Sequence, residues 1–93
     1  MKKKIQVGVI SCSHMARRHM ASVVDNSDTE LAMVCDLNEE AVKKAVELFK
    51  VPKSCTDYRE MLADNNIDLV IICTPDQTHK IMTLAALQAG KHV

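Results

Sequence analysis

Three features of these 93 residues predict an α/β fold with a doubly wound parallel sheet. First, short apolar runs alternate with helical-period segments along the whole chain, in the order β-α-β-α-β-α-β-α, and a further strand begins at its end. Second, the runs Ile5-Gln6-Val7-Gly8-Val9-Ile10 and Leu69-Val70-Ile71-Ile72-Cys73 are nearly continuous. Strands that carry helices on both faces read this way, whereas half-exposed strands alternate. Third, an acid, Asp36, closes the second apolar run 20 residues after Ala16, which ends the turn behind the first run.

Each element has a local reason. Ile5 to Ile10 forms the first strand, with Gln6 and Gly8 as small breaks. The first helix starts near Ser13 or His14 and runs to about Val24. Met15, Ala16, His19, Met20, Val23 and Val24 recur on its apolar face, with His19 as a packing residue. Asp25-Asn26-Ser27-Asp28 breaks it. Leu31 to Asp36 is the second strand. Asn38 caps the next helix, where Glu39 and Glu40 suit the positive end of the helix dipole. Glu39–Lys43 and Glu40–Lys44 stand at ion-pair spacing, and Ala41, Val42, Ala45, Val46 and Phe49 make the inner stripe. Val51-Pro52 stops it.

Ser54-Cys55-Thr56 is a short third strand, and Asp57 to Ala63 a short helix with Met61 and Leu62 inward. Leu69 to Cys73 is the strongest strand signal. The last helix spans about Thr78 to Ala89, with Ile81, Leu84, Ala85 and Gln88 at helical spacing and Gly90 just beyond its end. Lys91-His92-Val93 opens a fifth strand. Right-handed crossovers then give the strand order 3-2-1-4-5, with strand 5 incomplete.

Composition narrows the functional classes. The length is that of one small domain, residues 1–93, without room for a separate substrate domain. Twelve basic and twelve acidic side chains balance, which removes the electrostatic motive for binding nucleic acid or an anionic membrane. No apolar stretch approaches the roughly 20 residues that cross a bilayer. Polar Ser11, Ser13 and His14 interrupt any signal-peptide-like core after Lys2-Lys3-Lys4, so a cytoplasmic location is expected. Cys12, Cys35, Cys55 and Cys73 match no zinc spacing and read as free thiols. Three of them, Cys12, Cys35 and Cys73, fall near strand ends. No metal site is expected. No nucleophile–base–orienter set is visible either, so no catalytic residue is assigned.

The layout strand, tight turn, helix, strand, acid is that of a dinucleotide-binding βαβ unit. Its fingerprint is G-x-G-x-x-G/A. Here Ser11 and Ser13 occupy the first two glycine positions and Ala16 the third. The candidate phosphate turn is therefore Ser11, Cys12, Ser13, His14 and Met15. Asp36 is placed to accept the ribose hydroxyls of an adenosine, and its charge favours NAD over NADP. If the backbone at Ser11 has positive φ, serine there costs on the order of 1 kcal/mol or more. At the topological switch point between strands one and four, this turn faces the loop from Thr74 to His79.

The chain resembles the N-terminal domain of the glucose–fructose oxidoreductase/inositol dehydrogenase (Gfo/Idh/MocA) family. The resemblance is carried by Val7-Gly8-Val9-Ile10, Arg18-His19, Cys35-Asp36-Leu37-Asn38, Tyr58 with Met61-Leu62, and Asp68 to Ile72. Its most specific segments are Thr74-Pro75-Asp76-Gln77-Thr78-His79 and Ala86-Leu87-Gln88-Ala89-Gly90-Lys91-His92-Val93. It implies an NAD(P)-binding Rossmann domain of an oxidoreductase, with Thr74 and Pro75 lining the crevice near the nicotinamide and His79 close by. Family members continue into a Glu-Lys-Pro motif whose lysine takes part in catalysis. This chain stops at Val93, so the resemblance implies a cofactor-binding part, inactive alone, without that lysine or the substrate domain.

Three readings stay open at this stage. One is a binding module of impaired affinity. Another is a structural or engineered scaffold that keeps the fold without a bound nucleotide. The third is one subunit of a split enzyme. A homodimer through the exposed sheet edge at Lys91–Val93, or through the face a second domain would cover, is expected in addition.

Overall fold

The computed structural model describes residues 4–74 and 76–93. Its elements are β1 (Ile5–Ile10), α1 (His14–Asp25), β2 (Thr29–Cys35), α2 (Glu39–Phe49), β3 (Lys53–Cys55), α3 (Tyr58–Ala63), β4 (Leu69–Ile72) and α4 (Asp76–Gln88). The four strands form one parallel sheet in the order β3-β2-β1-β4. A fifth strand is only begun. Leu69 and His92 form a single parallel bridge, in which the Val70 N–H donates to the His92 carbonyl at 2.8 Å.

Side chains alternate across the sheet and sort into two cores. Val7, Val9, Leu31 and Val34 pack under α1 and α2, against Ala16, Met20, Val23, Val42 and Ala45. Ile10, Met33, Cys35, Val70 and Ile72 pack on the other face with Met61 of α3, and Met82 of α4 joins them. Gly8 is the one position of β1 without a side chain on that second face. A Cβ there would sit 2.6 Å from the Met61 sulfur, so the glycine makes room for the fully buried Met61. At the same place β2 has one extra residue, and the β1–β2 register shifts between Val7 and Gly8.

Caps set the helix starts. The Asn38 side chain accepts the Glu40 and Ala41 N–H groups at 3.0 and 3.2 Å, and Asp57 accepts the Arg59 N–H at 3.0 Å. At the far end of the chain Lys91 is buried, and its Nζ donates to the Asp64 carbonyl at 2.7 Å. That bond ties the end of α4 to the turn before β4.

Several expectations need correction. On α1 the buried row is Ala16, Met20 and Val23, while Met15, His19 and Val24 are exposed. The helix lies on the sheet through a narrow stripe, and residues one step round the helix from it reach solvent. His19 is therefore not a packing residue. On α4 the inward row is Met82 with Ala86, and Ile81, Leu84 and Leu87 face outward, about one residue round from the expected stripe. The spacing Glu39–Lys43 and Glu40–Lys44 is not closed. The ion pairs among the described residues are Lys53–Asp64 and Arg59–Asp57. Exposed long side chains gain little by pairing in water. Boundaries move slightly: β2 starts at Thr29, β3 at Lys53 and α4 at Asp76, while β4 ends at Ile72.

Candidate functional site

The C-terminal ends of the four strands open onto a cleft of about 420 Å³. Ile10 and Ser11 line it from β1, and Cys35, Asp36 and Leu37 from β2. Thr56 and Tyr58 follow β3, Thr74 follows β4, and Thr78 and Met82 come from α4. This edge is where ligands of open parallel sheets bind, at the point where the strand order reverses. The walls are mostly apolar, with a few polar groups among them, the usual make-up of a small-molecule site.

The turn after β1 is built around an unusual backbone. Ser11 has φ +99°, a left-handed conformation that glycine adopts freely and serine does not. The first fingerprint position therefore does demand glycine geometry. Ser13 is different. With φ −67° and ψ 173° it is an ordinary helix N-cap, and its Oγ accepts the Ala16 N–H at 3.4 Å. The two hydroxyls meet, Ser11 Oγ donating to Ser13 Oγ at 3.2 Å, and the Ser13 N–H donates to Ser11 Oγ at 3.3 Å.

Asp36 closes the other side of the turn. The Cys12 N–H donates to its Oδ2 at 2.7 Å and the Asn38 N–H to its Oδ1 at 2.9 Å. The Ser11 N–H donates to the Cys35 carbonyl at 2.6 Å, and the Asp36 N–H to the Cys55 carbonyl at 3.3 Å. A carboxylate offers about four acceptor positions, so roughly two remain for a ligand in the cleft.

The remaining sequence candidates separate. Thr74 lines the cleft beside Ser11 and Asp36, as expected. The Cys12 side chain does not; it is buried in the core below the turn, and only its N–H takes part. Ser13, His14 and Met15 are exposed at the start of α1, outside the cleft lining. His79 is exposed on α4, where its carbonyl accepts the Thr83 hydroxyl at 2.8 Å. Pro75 lies outside the described residues. Thr78 lines the cleft from the stretch between Thr74 and His79 that was expected to face the turn, whereas sequence reasoning missed Leu37, Thr56, Tyr58 and Met82 as cleft residues. Leu37 and Thr56 were findable, because each follows a strand at the sheet's C-terminal edge.

The thiols do not add chemistry. Burial and the nearby Asp36 charge push Cys12 up to about 12. Burial, with a hydrogen bond to Cys55, raises Cys35 further. Thiols held neutral at physiological pH are poor nucleophiles. Cys12 lies in the core under α1 and α2, against which Cys73 also packs, while Cys35 and Cys55 lie in the core on the other face and are hydrogen-bonded to each other. Among the described residues no group of three or more His, Cys, Asp or Glu is placed to hold a metal ion. No described helix is long and apolar enough to cross a membrane.

Comparison with known proteins gives a consistent answer. The profile described as "Oxidoreductase family, NAD-binding Rossmann fold" (GFO_IDH_MocA) matches residues 5–93. An inositol 2-dehydrogenase/D-chiro-inositol 3-dehydrogenase of Halalkalibacterium halodurans is 32% identical over 91 residues, covering 96% of this chain and 26% of that protein. A scyllo-inositol dehydrogenase of Lactobacillus casei, solved with NAD(H) and scyllo-inositol, superposes with a TM-score of 0.91 at 24% identity; the match covers 98% of this chain and 27% of that one, and shows the shared fold. A 3-ketoreductase of Actinomadura kijaniata, KijD10, solved with NADP, matches at a TM-score of 0.91 and 28% identity, over 98% of this chain and 29% of that one. The chain thus spans about a quarter of the length of these relatives.

Proposed function

We propose, from the premise that this chain belongs to the GFO_IDH_MocA oxidoreductase family with its NAD-binding Rossmann fold, that its cleft holds the adenosine half of NAD. In this reading the chain is the cofactor-binding unit of a dehydrogenase. The carrying observation is Asp36. Its carboxylate stands in the cleft wall with both oxygens already oriented by the Cys12 and Asn38 N–H groups, and acceptor capacity remains for two ribose hydroxyls. The residues present fit the cofactor at this end. Tyr58, Leu37 and Met82 supply apolar surface for a base, and Thr74 lies on the path toward the nicotinamide.

When bound, NAD supplies hydride acceptance or return. The chain's own work is to bind and orient. Asp36 fixes the ribose, and its negative charge disfavours a 2′-phosphate, so NAD is preferred over NADP. Ser11 and Ser13 stand where a glycine loop approaches the pyrophosphate, so affinity is lower than a glycine loop gives. Sugars, polyols and their oxidation products are the substrate class that accompanies this reading, since the relatives above include inositol dehydrogenases.

The test is calorimetric titration of NAD and NADP against the chain and against Asp36→Asn. The reading expects NAD to bind more tightly than NADP, and the substitution to weaken NAD by about tenfold or more, the worth of a charge-assisted pair. Equal binding by both proteins, or a preference for NADP, defeats it.

A further inference from the structure

We infer that the outward face of α4 is a self-association surface, on which a second copy of this chain seats its own α4 antiparallel, about a two-fold axis at Leu84. The inference is independent of the cofactor reading. α4 gives Thr78 and Met82 to the cleft, and both are turned away from this face.

α4 is apolar on two opposite sides. Inward, Met82 packs on the second core and Ala86 is fully buried. At about 3.6 residues per turn, Leu84 points away from that row, with Ile81 and Leu87 to either side of it. Ile81, Leu84 and Leu87 are 61, 51 and 56% exposed. A helix that is apolar all round belongs in an interior, and a contiguous exposed apolar patch marks an interface. The other long helices supply the contrast. α2 presents Glu39, Glu40, Lys43, Lys44 and Glu47 to solvent, and α1 presents Arg18 and Asp25. From Ile81 to Gly90 the sequence has no charged residue.

The pattern along this face fits a copy of itself. Reversed about Leu84, Ile81 falls on Leu87 and Lys80 on Gln88. A two-fold axis there sets Leu84 on the partner's Leu84 and Ile81 on the partner's Leu87, and the reverse contact follows by symmetry. That reciprocity is the condition for a closed dimer interface. Charge agrees with the antiparallel sense. It carries the exposed Lys80 to the C-terminal end of the partner's helix, the negative pole of the helix dipole. That end has no basic residue in its own last turn, and Lys91 just beyond it is committed to the Asp64 carbonyl. A parallel pair would instead bring the two copies of Lys80 together. The sheet edge is a poorer place for the contact, because His92 already takes up the Val70 N–H and the Asp68 carbonyl there. One helix face is small beside the roughly 800 Å² per partner of a stable complex, so the dimer is weak.

The experiment is sedimentation equilibrium of the chain from about 10 μM to about 1 mM, a range that brackets weak association. Leu84→Glu, Leu84→Lys and an equimolar mixture of the two are measured beside it, each checked for folding by circular dichroism. Leu84 is half exposed, so either substitution leaves the cores intact. The parent mass should rise with concentration toward that of a dimer and stop there. Each variant alone places like charges on the axis and should associate at least about tenfold more weakly. The mixture places opposite charges there and should recover the dimer. A parent chain that stays monomeric at the highest concentration overturns the inference and leaves the face to a different polypeptide. Variants that dimerise as the parent does overturn it by placing the contact elsewhere, the sheet edge included. A mixture that stays monomeric overturns the two-fold arrangement, and growth past the dimer overturns its closure.

Discussion

Replacing Ser11 by glycine should stabilise this protein, although it deletes two hydrogen bonds. Serine at φ +99° carries a backbone cost of about 1–3 kcal/mol that glycine does not. Against this stand two smaller losses. Glycine gives the unfolded chain more freedom, worth about 0.4–1 kcal/mol. The hydroxyl's two bonds, at 3.2 and 3.3 Å, are long and exposed, and together contribute about 0.5 kcal/mol, less than the roughly 0.5–1.5 kcal/mol that each well-formed bond contributes. The balance is a gain of about 1 kcal/mol, which for a domain of this size raises Tm by about 4–8 °C. Ser11→Ala separates the terms, because it loses the same bonds and keeps the strained backbone. Thermal unfolding followed by circular dichroism should order the three proteins Gly, Ser, Ala from most to least stable. A glycine variant no more stable than the alanine variant would show that position 11 is not strained and that the hydroxyl network holds the turn.

Other outcomes follow from the same structure. Gly8→Ala should cost about 1–3 kcal/mol by denaturant unfolding, since its Cβ meets the buried Met61 sulfur; a companion Met61→Ala, which opens that space, should lower the cost. Asp64 is held below its ordinary value of 3.8, first by the Asn66 N–H and then by Lys53. A depressed carboxyl stabilises the fold above its unfolded pKa and loses that contribution as pH falls through its folded pKa. The Tm gap between the parent chain and Asp64→Asn should therefore be full near neutrality and shrink below about pH 4. Cys12, Cys35 and Cys55 are buried and their thiols are pushed up. In a native chain at pH 8, a disulfide reagent should reach at most the half-buried Cys73, and all four thiols only after unfolding. Rapid labelling of more than one thiol in folded protein would contradict the two cores described here.

The fold was legible because its signals are cooperative along the chain. Continuous apolar runs, the cap at Asn38 and helical periodicity all point to the same alternation, and the alternation leaves few topologies. What periodicity does not fix is which side of an apolar-rich helix faces inward. On α4 the residues Ile81, Met82, Leu84, Ala85, Ala86 and Leu87 offer more than one apolar row, and packing of Met82 and Ala86 against the sheet chose between them. The site was half legible. Asp36 and Ser11 follow from the strand–turn–strand spacing, and Thr74 from the switch point of the sheet and the family resemblance. Tyr58 and Met82 reach the cleft only through the tertiary arrangement of α3 and α4, which no local pattern contains. Gly8 read as a weak point of β1, and its role became visible only with Met61 across from it.

The most direct test of the account is a titration of NAD into isotopically labelled protein, followed by backbone amide shifts. The account predicts one saturable process that moves the amides of Ser11, Cys12, Asp36, Leu37, Thr56, Tyr58 and Thr74 together, with the outward face of α4 around Leu84 and Leu87 unaffected. Saturable shifts centred anywhere else, or none at millimolar cofactor, would contradict the claim that this cleft is the nucleotide site.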